Sequence, residues 1–268
     1  MIHQRLRRLT LVAAFGAATH SSHAQTVDHS AFDRLLKAHV LNGLVDYDAF
    51  QASPAFAGYL KLLAATNPAA LPRDEQLAMW INAYNAYTIQ LINVKQERES
   101  IRNVNKSFGF LKFKGPWSEA FAVVGGKTYS LDDIEQRTIR PTFKEPRIHF
   151  ALVCAAIGCP PLRNEAYTGA RIEAQLNDQA IAFLTKTPAK NRVDVANRTL
   201  HHSQVFTFSD YQKDFGGSDA AVGRFIARYY PAGPEKALLE SGNFRAVKTE
   251  YDWSLNSQAN GRRLGLLR

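Results

Sequence analysis

The chain is poor in sulfur and has no low-complexity stretch and no long apolar run. Only two of its 268 residues are cysteine, Cys154 and Cys159, and two are methionine. That excludes a scaffold of several disulfides, and two cysteines alone do not fill a four-ligand zinc site, so no metal is expected. No cofactor is expected either. The apolar stretch at residues 9–18 is about half of the roughly 20 residues that a bilayer-spanning helix needs, so no stable transmembrane segment is expected. Runs of lysine and arginine are missing, which argues against nucleic acid as a partner. No repeat or composition break divides the chain.

What is present begins with an export signal. Arg5, Arg7 and Arg8 form a basic start, residues 9–18 an apolar stretch, and Ser22-His23-Ala24 a small-x-small cleavage motif before Gln25. Residues 1–24 read as a removable signal peptide and 25–268 as one soluble domain, periplasmic or secreted, with residues 258–268 expected to fray. Losing three arginines and no acidic residue takes the formal charge from +9 to +6. That balance is mildly basic and suits an anionic surface. With 46% hydrophobic residues the domain can bury a real core.

Hydrophobic period supplies the elements. Ser30 and Asp33 make a capping box opening a first helix, and Pro54 starts a second. Residues 74–94 carry the clearest helical pattern, with Leu77, Trp80, Ile81, Tyr84, Leu91 and Ile92 on one stripe and Asn82 and Asn85 on its flank. Gly125-Gly126 joins two strands of a hairpin. Ser130 and Asp133 open a short helix expected to stop at Pro141. Residues 148–153 read as a buried strand leading into the turn-rich passage from Cys154 to Leu162. A helix over 170–184, a hairpin around Asn197-Arg198, two further helices and a last strand over 244–251 follow. The expected class is α+β: helices around a long central helix, packed on a small, mainly antiparallel sheet. A papain- or transglutaminase-like arrangement is the first architecture to test, by analogy of fold.

Several stretches carry a family resemblance. They are Gly43-Leu-Val-Asp-Tyr47, residues 76–85, residues 130–135, residues 146–154 with Cys159-Pro160, residues 206–215 around Tyr211 and Asp214, and Tyr251-Asp-Trp-Ser-Leu-Asn256. In this order they resemble the domain-of-unknown-function family 547, found in exported bacterial proteins and in plant proteins with a coiled-coil region. The resemblance implies no settled activity. It directs attention to Asn82, Asn85, Glu135, Arg147, His149, Cys154, Cys159 and Tyr167. In the plant-type pattern the first cysteine stays while the second position and the histidine differ, which counts against a fixed Cys–His pair as the family's common property.

The export reading puts both cysteines in an oxidising compartment, where three roles stay open: a structural disulfide, a redox-active or free thiol, and a nucleophile. On a straight strand His149 and Cys154 face opposite ways, so Cys159, folded back by the 155–158 turn, is the better partner for His149. Glu135 either pairs with Arg147 or orients His149. Asn82 and Asn85 either steady an oxyanion or bond loop backbone. Arg147 and Tyr167 are further binding candidates, and His201 and His202 weaker bases. The basic, aromatic stretch at residues 106–117 is either a contact surface or a strand. Two functions follow. One is a thiol-dependent hydrolase or acyl-transfer enzyme acting on peptide-like envelope material, with Cys159 or Cys154 attacking, His149 as base and Glu135 orienting it. The other is a non-catalytic, disulfide-stapled binding module for a peptide-like or anionic envelope component.

Overall fold

The computed structural model describes residues 25–104 and 115–267. The signal-like segment and most of the basic, aromatic stretch lie outside them. In chain order come α1 (Ser30–His39), β1 (Val40–Leu41), β2 (Leu44–Val45), α2 (Tyr47–Ala52), α3 (Pro54–Ala65) and α4 (Arg73–Val94). Then follow β3 (Ala122–Val124), β4 (Lys127–Tyr129), a π-helical segment (Asp133–Ile139), α5 (Arg140–Phe143), α6 (Ile148–Ala151) and α7 (Ile172–Thr185). The chain closes with β5 (Arg192–Asp194), β6 (Thr199–His202), α8 (Asp219–Ala227), α9 (Pro234–Ser241), β7 (Arg245–Lys248) and α10 (Gln258–Arg263).

Helix α4 is the axis. Seventeen of its 22 residues are buried, so it is covered on every side rather than along one stripe. Total enclosure puts polar side chains inside, where each needs a partner. The asparagines of α4 meet that need by bonding the backbone of the segments wrapped around it. Asn82 donates to Tyr167 O at 2.7 Å and accepts from Tyr167 N at 2.9 Å. Asn85 does the same with Ala151 O and Val153 N, and Asn93 donates to Tyr47 O.

The α+β expectation holds, with the strands among the described residues divided among three small sheets. β1–β2 and β3–β4 are antiparallel hairpins, and β6 pairs antiparallel with β5 and parallel with β7. Gly125 and Gly126 both take positive φ, as the tight turn between β3 and β4 requires.

Several local expectations are corrected. Residues 148–151 form a helical turn, α6, and not a strand. A short apolar run buried on all sides has no period to separate the two states. The Ser130–Asp133 capping box forms, with Ser130 N donating to Asp133 Oδ2 and Asp133 N to Ser130 Oγ. The Ser30–Asp33 box does not: His29 is the N-cap, and Asp33 Oδ1 accepts from Ala166 N instead. Pro141 does not end its helix, because it falls in the first turn of α5, where a missing N–H leaves no gap. Within the tail expected to fray, Gln258–Arg263 are helical, Asn260 and Gly261 are buried, and Leu267 is packed.

Candidate active site

The π-helical segment, α6, the cysteine loop and the segments at 205–211 and 251–253 line an open cavity of about 460 Å³, with Tyr84 of α4 and Trp117 beside them. Each wall has a local cause. In the π-helical segment the N–H of Arg140 reaches back to Glu135 O, an i→i+5 bond that widens the helix. Glu135 and Gln136 line the cavity from this segment. The turn of α6 brings in His149, and Asn85 holds its exit through Ala151 and Val153. The chain then leaves into the cysteine loop.

Cys154 and Cys159 are joined as a disulfide, and both sulfur-bearing residues line the cavity. Cys154 is half-buried, whereas Cys159 is 1% exposed. The backbone N–H of Cys154 donates to Cys159 Sγ at 3.1 Å. Tyr251 Oη lies 3.1 Å from each sulfur. The loop is tied to residues 252–256 by Gly158 N to Asp252 O, Ile157 N to Ser254 O and Asn256 N to Ala155 O. Lys190 Nζ donates to Ile157 O and Cys159 O at 2.5 Å each. Burial pushes that ammonium down to about 8, against the opposing pull of Asp252.

Across the cavity lies a chain of charges. His149 Nε2 donates to Asp214 Oδ2 at 2.7 Å, and Glu135 Oε1 sits 3.6 Å from His149 Nδ1, which has no hydrogen-bond partner among the described residues. Arg140 grips Asp214 with two nitrogens, at 2.7 and 3.0 Å, and also reaches Asp210. Tyr211 stacks on the imidazole at 4.1 Å between ring centres and donates to Glu135 Oε1 at 2.5 Å. Burial by itself would lower the His149 pKa, but Asp214 and Glu135 outweigh it and raise the value above 6.5. Burial works against the Asp214 carboxylate too, and is overcome by His149 and Arg140, which hold it well below the usual range. The two carboxylates therefore favour the protonated form of the histidine over the neutral one.

The expected site residues divide cleanly. Cys154, Cys159, His149 and Glu135 share the cavity. The strand-based objection to Cys154 falls with the strand, and Cys154, not Cys159, is the more exposed residue of the pair. Glu135 takes the histidine-facing role, since Arg147 pairs with Glu145 and Glu173 at 2.7 Å instead. Asn82 and Asn85 each bond backbone through both amide ends, and neither lines the cavity. Tyr167 is clamped by Asn82 and buried away from the cavity, its hydroxyl without a partner among the described residues. His201 meets Arg192, and His202 donates to Ser203 O; neither lines the cavity. From the basic, aromatic stretch Trp117 lines the cavity, while residues 105–114 lie outside the described ones.

Asp214, Tyr211, Tyr251 and Lys190 complete the site without having been assigned roles from residue type. The first three lie in stretches that carry the family resemblance. Lys190 had no signal, because its role depends on which carbonyls the fold brings to it. Among the described residues, no group of three or more His, Cys, Asp or Glu is placed to hold a metal ion, and no helix is long and apolar enough to cross a membrane. Residues 68–184 match the family described as "Protein of unknown function, DUF547". No curated protein and no solved structure matches the chain.

Proposed function

We propose, for a chain whose residues 68–184 match the domain-of-unknown-function family 547, that the cavity is a thiol–disulfide active site. The reading rests on one observation: the Cys154–Cys159 bond forms part of the cavity wall, with a half-buried sulfur-bearing residue on one side and a buried one on the other. Exchange proceeds when a thiolate attacks one sulfur in line and the other leaves, and it is faster when the leaving thiolate is stabilised. Cys154 is the sulfur an incoming thiolate can reach. Cys159 is the leaving sulfur, already facing the Cys154 N–H. The aromatic wall, with Phe208 and Trp253, suits the apolar flank of a peptide-like thiol substrate. Export through the signal-like residues 1–24 is part of the proposal, since an oxidising compartment keeps the pair bonded at rest.

A second reading is favoured by the Asp214–His149 pair, in which His149 lines the same cavity and its Nδ1 has no hydrogen-bond partner among the described residues. In the reduced protein, Cys154 would be the nucleophile and His149 the base of an acyl-transfer or hydrolase site. It requires the disulfide to open first.

Thiol titration tests both. Under native conditions dithiothreitol is expected to reduce the pair, and the Cys154 thiolate of Cys159→Ser to attack a small disulfide, keeping one half as a mixed disulfide and releasing the other as a thiolate. Sulfurs that react only after denaturation would sink the exchange reading. Turnover of an activated ester only by reduced protein, lost in Cys154→Ser and in His149→Ala, would select the second.

A further inference from the structure

We propose that Tyr251 is a catalytic residue of this exchange, donating its phenolic hydrogen bond to the Cys159 sulfur as that sulfur leaves as a thiolate. The inference rests on the thiol–disulfide reading and explains why the 251–256 segment is laid along the cysteine loop. A disulfide carries no S–H, so the phenol is the donor in its contacts at 3.1 Å with Cys154 Sγ and Cys159 Sγ. One proton therefore serves two sulfurs at equal distance while the bond is intact.

Attack breaks that symmetry. As the incoming thiolate sulfur bonds to Cys154 Sγ, the S–S electron pair moves onto Cys159 Sγ. Cys154 becomes half of a neutral mixed disulfide, and Cys159 gains a full negative charge. The phenolic proton then turns to Cys159, joining the Cys154 N–H that already points there. A hydrogen bond to an ionised acceptor is roughly twice as strong as one to a neutral acceptor. The contact thus strengthens along the reaction, which is the condition for lowering a barrier and not merely binding the ground state. When the substrate carries a second thiolate, that sulfur attacks its neighbour in the mixed disulfide and Cys154 leaves. The substrate is then oxidised by two electrons and the cysteine pair reduced by two.

The phenol is held for this task. Its ring lies against Gly158, where an added Cβ would come within 2.8 Å of ring atoms, so both ring and loop are fixed. Three backbone hydrogen bonds join the loop to residues 252–256, making phenol and sulfurs one unit. Burial, then Glu135, push the Tyr251 pKa well above the ordinary 10.0. The hydroxyl keeps its proton across the range in which a thiol of ordinary pKa of about 8.5 titrates, and the proton that later caps Cys159 comes from solvent.

The experiment compares Cys154→Ser, in which Cys159 is the sole thiol, with Cys154→Ser/Tyr251→Phe. Alkylation rates against pH give the Cys159 pKa in each. Tyr251→Phe keeps the ring, and it is expected to raise that pKa by about one unit. In the two-cysteine protein it is expected to slow native reduction by dithiothreitol about tenfold, the scale of one hydrogen bond to a charged group, with little change in Tm. An unchanged pKa and rate overturn the role of Tyr251 while leaving the exchange reading standing. A wild-type disulfide inert to dithiothreitol in the native state overturns both. If the Phe variants do not fold, Cys154→Ser is titrated by absorbance. A tyrosine band shifting in step with the thiolate band supports the proposal, and one that stays fixed overturns it.

Discussion

His149 is buried between two carboxylates that favour its protonated form, and its protonation is therefore linked to folding. Its folded pKa is raised above 6.5 by Asp214 and Glu135 despite burial. A raised pKa means that the stabilisation is full below the unfolded value and is lost as pH climbs through the folded one. Asp214 has the opposite sign. Its pKa is depressed below 3.8, so its contribution is full above that value and fades as pH falls. Together they predict a plateau with an acidic limb set by Asp214 and an alkaline limb set by His149. Urea unfolding followed from mildly acidic to mildly alkaline pH is expected to show stability falling on the alkaline side, and His149→Gln is expected to flatten that fall. An alkaline limb of the same slope in the variant would show that other groups cause it. At neutral pH, His149→Ala is expected to cost about 3 kcal/mol, the low end for breaking a buried pair, because Arg140 still holds Asp214.

At the scale of elements, α4 works as a bracket as much as a core helix. Asn85→Ala removes the donor to Ala151 O and the acceptor from Val153 N, orphaning two buried backbone groups. At about 1–3 kcal/mol each, a loss of about 2–6 kcal/mol is expected in denaturant unfolding. Because this bracket holds the exit of α6, His149 and the cysteine loop should loosen with it. A loss under 1 kcal/mol would mean that the loop keeps its place by other contacts. A second test concerns the β1–β2 turn. Gly43 has φ +80°, and a Cβ there would lie 2.4 Å from Pro161 Cβ. Gly43→Ala therefore combines backbone strain with overpacking and is expected to cost about 2–4 kcal/mol. Elements with a period or a turn signal were legible before the structure: the long helix, the diglycine hairpin, the Ser130 cap. Residues 148–153 were not, because enclosure on all sides erases the alternation that tells strand from helix. The site shows the same division. Cys154, Cys159, His149 and Glu135 stand out by residue type. Tyr251 and Asp214 matter because tertiary folding sets a phenol against two sulfurs and a carboxylate against an imidazole, about 100 and 65 positions away in sequence.

Over the whole molecule, what matters is how much of the fold depends on its one disulfide. The bond spans a sequence separation of only 5. In the chain-entropy model a loop of about six residues restricts the unfolded chain by about 2 kcal/mol. The loop has other anchors: Lys190 beneath its carbonyls, three backbone bonds to residues 252–256 and Gly158 against Tyr251. Those contacts do not involve the S–S bond and remain when it opens. Reduction is therefore expected to lower Tm by roughly 4–8 °C for a domain of this size, while a single cooperative transition and the far-ultraviolet circular dichroism persist. Reduced and oxidised protein compared by calorimetry would check this, with the double Cys154→Ser/Cys159→Ser variant as a reductant-free control. A fold that collapses on reduction would make the disulfide a staple the molecule cannot open in service. A fold that survives has the property an exchange site requires, since a bond that must break and reform in each cycle has to sit where the rest of the structure does not lean on it.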